Sequence, residues 1–193
     1  MQARKMISLF GFIGALALSG AAQAAGPLPV AAHFDLHKFA GGWFEIASAS
    51  TFGSSVRSDA IAAFATSDEY PNTLQATFTY RGRFTEQSVS GILSPADDRY
   101  PATLLFTWSR PPVTNTEFYV LAVADDYSWA LVGDTARKNA YVYSRSASID
   151  PSILRSLIIR LNTDFDYENA ERFMHCTYHG GRPAAGCAEI LDD

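Results

Sequence analysis

The sequence predicts an all-β protein, eight antiparallel strands closed into a barrel or layered as a sandwich, followed by one amphipathic helix. Three observations carry this prediction. From Trp43 to Arg145, short stretches rich in Phe, Tyr, Val, Thr and Ala recur at even spacing, each broken by turn residues. Apolar residues at helical spacing occur in one segment only, after Asp150. No internal repeat, linker or low-complexity tract interrupts the chain, so one domain is expected.

Strands are expected over residues 43–51, 59–66, 73–82, 85–93, 102–109, 116–124, 128–133 and 140–146. The breaks between them hold Asp68-Glu69-Tyr70-Pro71-Asn72, Ser94-Pro95-Ala96-Asp97-Asp98, Pro111-Pro112 and Asp125-Asp126, all residues with turn chemistry of their own. In the helical segment Asp150 is the N-cap and Pro151 the first helical residue. Ile153, Leu154, Leu157, Ile158 and Leu161 then share one face, with Arg155 and Arg160 outside it. That face should pack on the outside of the sheet. A last short strand over 173–178 should pair with an edge.

The N-terminus reads as a signal peptide over residues 1–24, leaving a single domain over 25–193. Arg4 and Lys5 supply a positive start, Met6 to Leu18 an apolar stretch, and Ala22-Gln23-Ala24 a small-x-small cleavage site. A retained membrane anchor is the alternative, disfavoured because the apolar run is short for a bilayer. The expected location is the periplasm, or outside the cell. No cysteine precedes Cys176, so a lipid-modified N-terminus and a membrane anchor are not expected. Removing Arg4 and Lys5 from 15 basic residues leaves 13 against 20 acidic ones, a net charge of −7 with histidines neutral. Such a balance offers nucleic acid or an anionic membrane surface no electrostatic attraction.

Cys176 and Cys187 are the two cysteines, and export to an oxidising compartment makes a disulfide between them the default. Two free thiols, or a metal site shared with His175 and His179, are the competing readings. Two histidines alone do not make a zinc site, and no metal is expected.

Three motifs then lead to a family. Gly41-Gly42-Trp43-Phe44-Glu45-Ile46-Ala47 resembles the Gly-x-Trp signature of lipocalins. Asp126-Tyr127-Ser128-Trp129-Ala130-Leu131-Val132 is similar to their second motif, and Tyr141-Val142-Tyr143-Ser144-Arg145 to their third. Each alone is weak, whereas all three in order at barrel spacing are strong. The resemblance implies an eight-stranded up-and-down barrel with one helix packed outside, and a small hydrophobic ligand inside. The likeness extends to bacterial outer-membrane lipocalins, from which this chain departs in lacking the lipidation cysteine. It implies a structural role for Gly41, Trp43 and Arg145: the tryptophan plugs one end of the barrel while the guanidinium stacks on its indole.

Strand alternation assigns the interior. With Trp43 pointing in, Glu45 and Ala47 follow, and the other strands contribute Ala62, Phe64, Leu74, Ala76, Phe78, Val89, Gly91, Leu93, Leu104, Phe106, Trp108, Phe118, Val120, Ala122, Ala130, Val132, Tyr141 and Tyr143. The expected ligand-binding set within these is Ala62, Phe64, Ala76, Phe78, Leu93, Phe106, Trp108, Phe118, Val120, Tyr141 and Tyr143. Eight strands either fill with side chains or hold one small ligand. Large rings beside Ala47, Ala62, Ala76, Gly91, Ala122 and Ala130 favour a cavity over a solid core. Glu45 faces either the pocket floor or a structural partner. Arg81, Arg83, Arg99 and Arg110 stand near strand ends, where they meet an anionic head group or are solvated surface charges.

These residues predict a carrier that binds, transports or sequesters a fatty acid, lysophospholipid or similar small hydrophobic molecule. No nucleophile elbow, paired carboxylates on one face, or His beside a nucleophile marks an enzyme, and no cofactor is called for. His33 and His37 precede the barrel and read as surface residues. A lipocalin-fold enzyme, a haem binder using His175 and His179, and a solid barrel whose loops bind another protein are the alternatives.

Overall fold

A computed structural model describes residues 28–49, 58–82, 84–110 and 114–191. The expected signal peptide and Arg83 lie outside the described residues. The short helix α1 (Leu36–Phe39) is capped by Asp35, whose carboxylate accepts from the backbone N–H groups of His37 and Lys38. Eight antiparallel strands follow: β1 (Gly41–Ala49), β2 (Ser58–Thr66), β3 (Leu74–Arg81), β4 (Glu86–Pro95), β5 (Thr103–Trp108), β6 (Asn115–Val123), β7 (Trp129–Gly133) and β8 (Ala140–Ser144). Each pairs with its successor, and β8 returns to β1, so the sheet closes into a barrel. The barrel, rather than the sandwich, is what the chain forms.

Helix α2 (Pro151–Thr163) begins where the sequence places it, with Asp150 accepting from Ser152 N–H and proline at the first turn. Leu154, Leu157, Ile158 and Leu161 are buried against Ile46, Ala47, Leu121, Leu131 and Val142 from the outer face of the sheet. A second cluster fills the closed end of the barrel, built on Phe39, Trp43, Phe64, Leu74, Leu93, Leu104, Phe106 and Val120. The sheet therefore separates two apolar cores, one outside under the helix and one inside.

Two register shifts correct the strict alternation. Between Glu45 and Ala47 an extra residue enters β1, so Ala47 pairs with Val142 and joins the outer core. Between Val120 and Ala122 the same happens in β6: Ala122 pairs with Leu131 and faces outward, and Val123 packs toward the interior instead. Ala47 and Ala122, expected inside, are thus outside. A bulge inverts the parity of every residue beyond it.

The chain after α2 completes the wall. Helix α3 (Ala170–Phe173) leads into β9 (Met174–Cys176), β10 (Tyr178–His179), β11 (Arg182–Pro183) and α4 (Ala188–Leu191). Strands β1 and β2 are paired only from Gly41 to Phe44. Beyond that point β9 pairs with Ala47–Ala49 of β1, and Tyr178 pairs with Ser58 of β2. The tail fills the gap where the two strands part, and the expected edge strand is β9. Cys176 and Cys187 form a disulfide with Cα atoms 5.8 Å apart, which ties this tail to α4. The metal and free-thiol readings of these cysteines fall with that bond.

Replacing both cysteines (Cys176→Ser with Cys187→Ser) should lower the unfolding free energy by roughly 3 kcal/mol, the chain-entropy value for so short a loop. Urea denaturation of the double variant beside the native protein measures it. Equal midpoints would show that the tail needs no covalent tie.

Candidate functional site

At the closed end Trp43 is fully buried, and its indole N–H donates to the Phe39 carbonyl at 2.8 Å. The Arg145 guanidinium lies 3.7 Å from the centre of the Trp43 rings. It also donates to the carbonyls of Tyr127, Gly42 and Lys38 at 3.2, 3.0 and 2.8 Å. Burial pulls its pKa below the ordinary arginine value. Gly41 has φ of +103°, and a Cβ there would stand 3.0 Å from Arg145 Nη1. Both the backbone and the stacked guanidinium require glycine at this position. The Gly41, Trp43 and Arg145 assignment is therefore a physical unit that seals one end.

Above the seal a chain of rings rises through the barrel. Phe39 contacts Phe64 at 5.1 Å, Phe64 meets Phe78 edge-on at 5.8 Å, and Phe78 meets Phe106 at 5.3 Å. Phe106 in turn meets Trp108 at 5.4 Å, with Phe118 at 6.3 Å from both Phe78 and Phe106. Gly91 makes this packing possible, because a Cβ there would enter the Phe106 ring. The lower half of the interior is closely packed, and a void of about 20 Å³ lies among Phe39, Phe64, Leu93, Leu104 and Val132.

The upper half is hollow. A cavity of about 230 Å³ is lined by Glu45, Ala60, Ile61, Phe78, Thr79, Tyr80, Val89, Phe106, Trp108, Phe118, Tyr141 and Tyr143. Phe78, Phe118 and Tyr143 also border the small void, so they form the cavity floor. Tyr141 and Tyr143 stack at 6.1 Å on one wall. In β8 these interior tyrosines are half-buried, whereas Ala140, Val142 and Ser144 on the outer face are buried. The inversion follows from a hollow centre beside a tightly packed outer core.

Among the expected ligand-binding residues, Phe78, Phe106, Trp108, Phe118, Tyr141 and Tyr143 line the cavity. Phe64 and Leu93 line the void below, and Ala62, Ala76 and Val120 are buried in the solid core without bordering the cavity. Glu45 does both things expected of it. It is on the cavity wall, and its Oε1 accepts from Thr177 Oγ1 at 2.8 Å. His179 donates from Nε2 to the Glu45 backbone carbonyl at 2.8 Å, and His175 is exposed on β9. Arg81 pairs with Asp59 at 3.4 Å, and Arg110 is exposed at the end of β5. Arg99 is exposed and pairs with Asp97 in the β4–β5 turn, at the sealed end and away from the cavity, so of its two readings the solvated surface charge holds.

The family profile described as a lipocalin-like domain matches residues 34–171. The chain belongs to the lipocalin-like family. Among solved structures it is similar to insecticyanin from the tobacco hornworm Manduca sexta, with TM-score 0.65 and 18% identity over 83% of this chain and 88% of that one. It is also similar to lobster apocrustacyanin A1, with TM-score 0.58 and 13% identity over 75% and 79% of the two chains. For the siderocalin Ex-FABP the values are 0.53 and 14%, over 74% and 95%. At these identities the likeness is one of fold. A search of curated protein sequences finds no match.

Several cavity residues of this lipocalin-like chain were not in the expected set. Tyr80 shares parity with Phe78, and Ala60 with Ala62, so alternation carried to the strand ends reaches both. Thr177 had no signal, since 132 residues separate it from the carboxylate it binds.

Arg145→Lys should cost roughly 1–2 kcal/mol, because an ammonium keeps the charge but loses the planar stack and the three-way fork. Thermal denaturation should show the drop, with the affinity of any cavity ligand unchanged. An undiminished melting temperature would remove Arg145 from the seal.

Proposed function

We propose that this lipocalin binds and carries a small hydrophobic molecule in its upper cavity. One observation carries the reading: an interior that is solid at the sealed end opens into an aromatic-walled space of about 230 Å³. Closing rings on one another would have filled it, and the small residue Ala60 stands on its wall where a larger side chain would do so. Burying roughly 200 Å² of apolar ligand surface contributes about 5 kcal/mol at ~25 cal/mol per Å², before ordering costs. The siderocalin Ex-FABP, a structural neighbour, functions through dual ligand specificities, which supports ligand binding as a use of this fold.

The volume lies below the ~300–1,000 Å³ of typical drug-sized sites, which favours a short chain or a single ring system over a lysophospholipid. A fatty acid would enter tail first, since a carboxylate head set deep would meet Glu45. Its head would then remain at the wide end, where Arg81 and Arg110 lie. Export to the periplasm, the resemblance to bacterial outer-membrane lipocalins and a soluble state without an acyl anchor belong to the same proposal. The signal-like N-terminus and the disulfide support export.

N-phenyl-1-naphthylamine, a small neutral probe, should brighten on mixing with the protein and alter Trp108 emission. Val89→Trp, which fills the cavity from β4, should weaken that binding by about tenfold or more, equivalent to ~1.4 kcal/mol. A probe that stays dark, or one indifferent to the filled cavity, would end the carrier reading. Mass spectrometry of protein recovered from the periplasm should find Ala25 at the N-terminus, and an intact Met1 would contradict the signal peptide.

A further inference from the structure

We infer that the cavity selects a hydrophobic amine, seating the ligand's ammonium against the Glu45 carboxylate; this rests on the carrier reading above. Glu45 is 4% exposed and is the one charged side chain among the described residues that line the cavity. It shares the interior face of β1 with Trp43, and its cross-strand neighbour is the cavity tyrosine Tyr143. Oε1 accepts one hydrogen bond, from Thr177. Among the described residues no base lies within ion-pair distance of the carboxylate, and no donor reaches Oε2.

A buried carboxylate without a counter-charge is costly, and one hydroxyl donor offsets little of that cost. The bond to Thr177 does not need the charge, because the amide oxygen of a glutamine would accept from the same hydroxyl. His179 does not supply it either, since its ring N–H goes to the backbone carbonyl and not to the carboxylate. Among the described residues no partner remains for the second oxygen, which leaves it to a ligand held in the cavity. The walls suit a cation: the rings of Phe106, Trp108 and Phe118 line the same space as Glu45. Ring faces attract an ammonium, by ~2 kcal/mol or more when it is desolvated. A ligand with an apolar body and an amine end satisfies the rings and the carboxylate together, whereas an acid of the same length must keep its head outside.

Three eight-carbon ligands that differ only in head group test this: octylamine, octan-1-ol and octanoate, each displacing N-phenyl-1-naphthylamine from the full-length protein at neutral pH. Octylamine should compete about tenfold better than either of the others, or more, the size of effect expected for a desolvated charge pair. In Glu45→Gln that advantage should collapse to within about threefold of octan-1-ol while the neutral probe still binds, as the Thr177 contact is kept. Should Glu45→Gln fail to fold, the native protein's ranking of the three ligands decides alone. If octan-1-ol or octanoate matches or exceeds octylamine while the probe binds, the amine preference is refuted and the carrier reading stands. If the probe itself never binds, the carrier reading falls and takes this inference with it.

Discussion

Four residue pairs close this barrel, from Gly41 against Phe64 to Phe44 against Ile61, and the properties of its two ends follow from that short seam. Where β1 and β2 are paired, the interior is narrow enough for Trp43, Phe39 and Phe64 to touch, and the guanidinium of Arg145 completes the seal from outside. Where they part, the backbone edges of both strands need partners, since exposed edges carry unpaired N–H and C=O groups. The tail supplies them through β9 and β10. A closed end packed with rings and an open end lined by them are consequences of one seam that stops halfway.

The tail is thereby more than a terminus. It carries Thr177 to Glu45 and His179 to the backbone of the same residue, so the segment that repairs the sheet edge also fixes the Glu45 carboxylate on the cavity wall. The Thr177 backbone N–H donates to Ile46, next to the β1 bulge, which holds the strand where its parity changes. Covalent closure through Cys176 and Cys187 ties this arrangement to the outer core, in which both cysteines are buried. Stability of the wall and polarity of the cavity are coupled at this point.

The two cores explain why a hollow interior does not compromise the fold. Apolar burial that the centre forgoes is recovered outside, where α2 lays Leu154, Leu157, Ile158 and Leu161 on Ile46, Leu121, Leu131 and Val142. These outer residues of the strands are more buried than the cavity tyrosines beside them. The cavity can hold a ligand because the protein does not rely on filling it.

Strand number, strand order, the single long helix, the seal at Gly41, Trp43 and Arg145, and six of the cavity rings were legible in the sequence, because each depends on local periodicity or on a compact motif. A side chain's face is set by its parity, and turn residues set where parity restarts. What only the tertiary structure decided lies where periodicity breaks. The bulges in β1 and β6 send Ala47 and Ala122 to the outer core, and nothing local in either strand announces the extra residue. Whether the rings would meet or leave a space, and whether Glu45 would find a partner, depended on distances between strands far apart in the chain, and a one-dimensional pattern does not carry such distances.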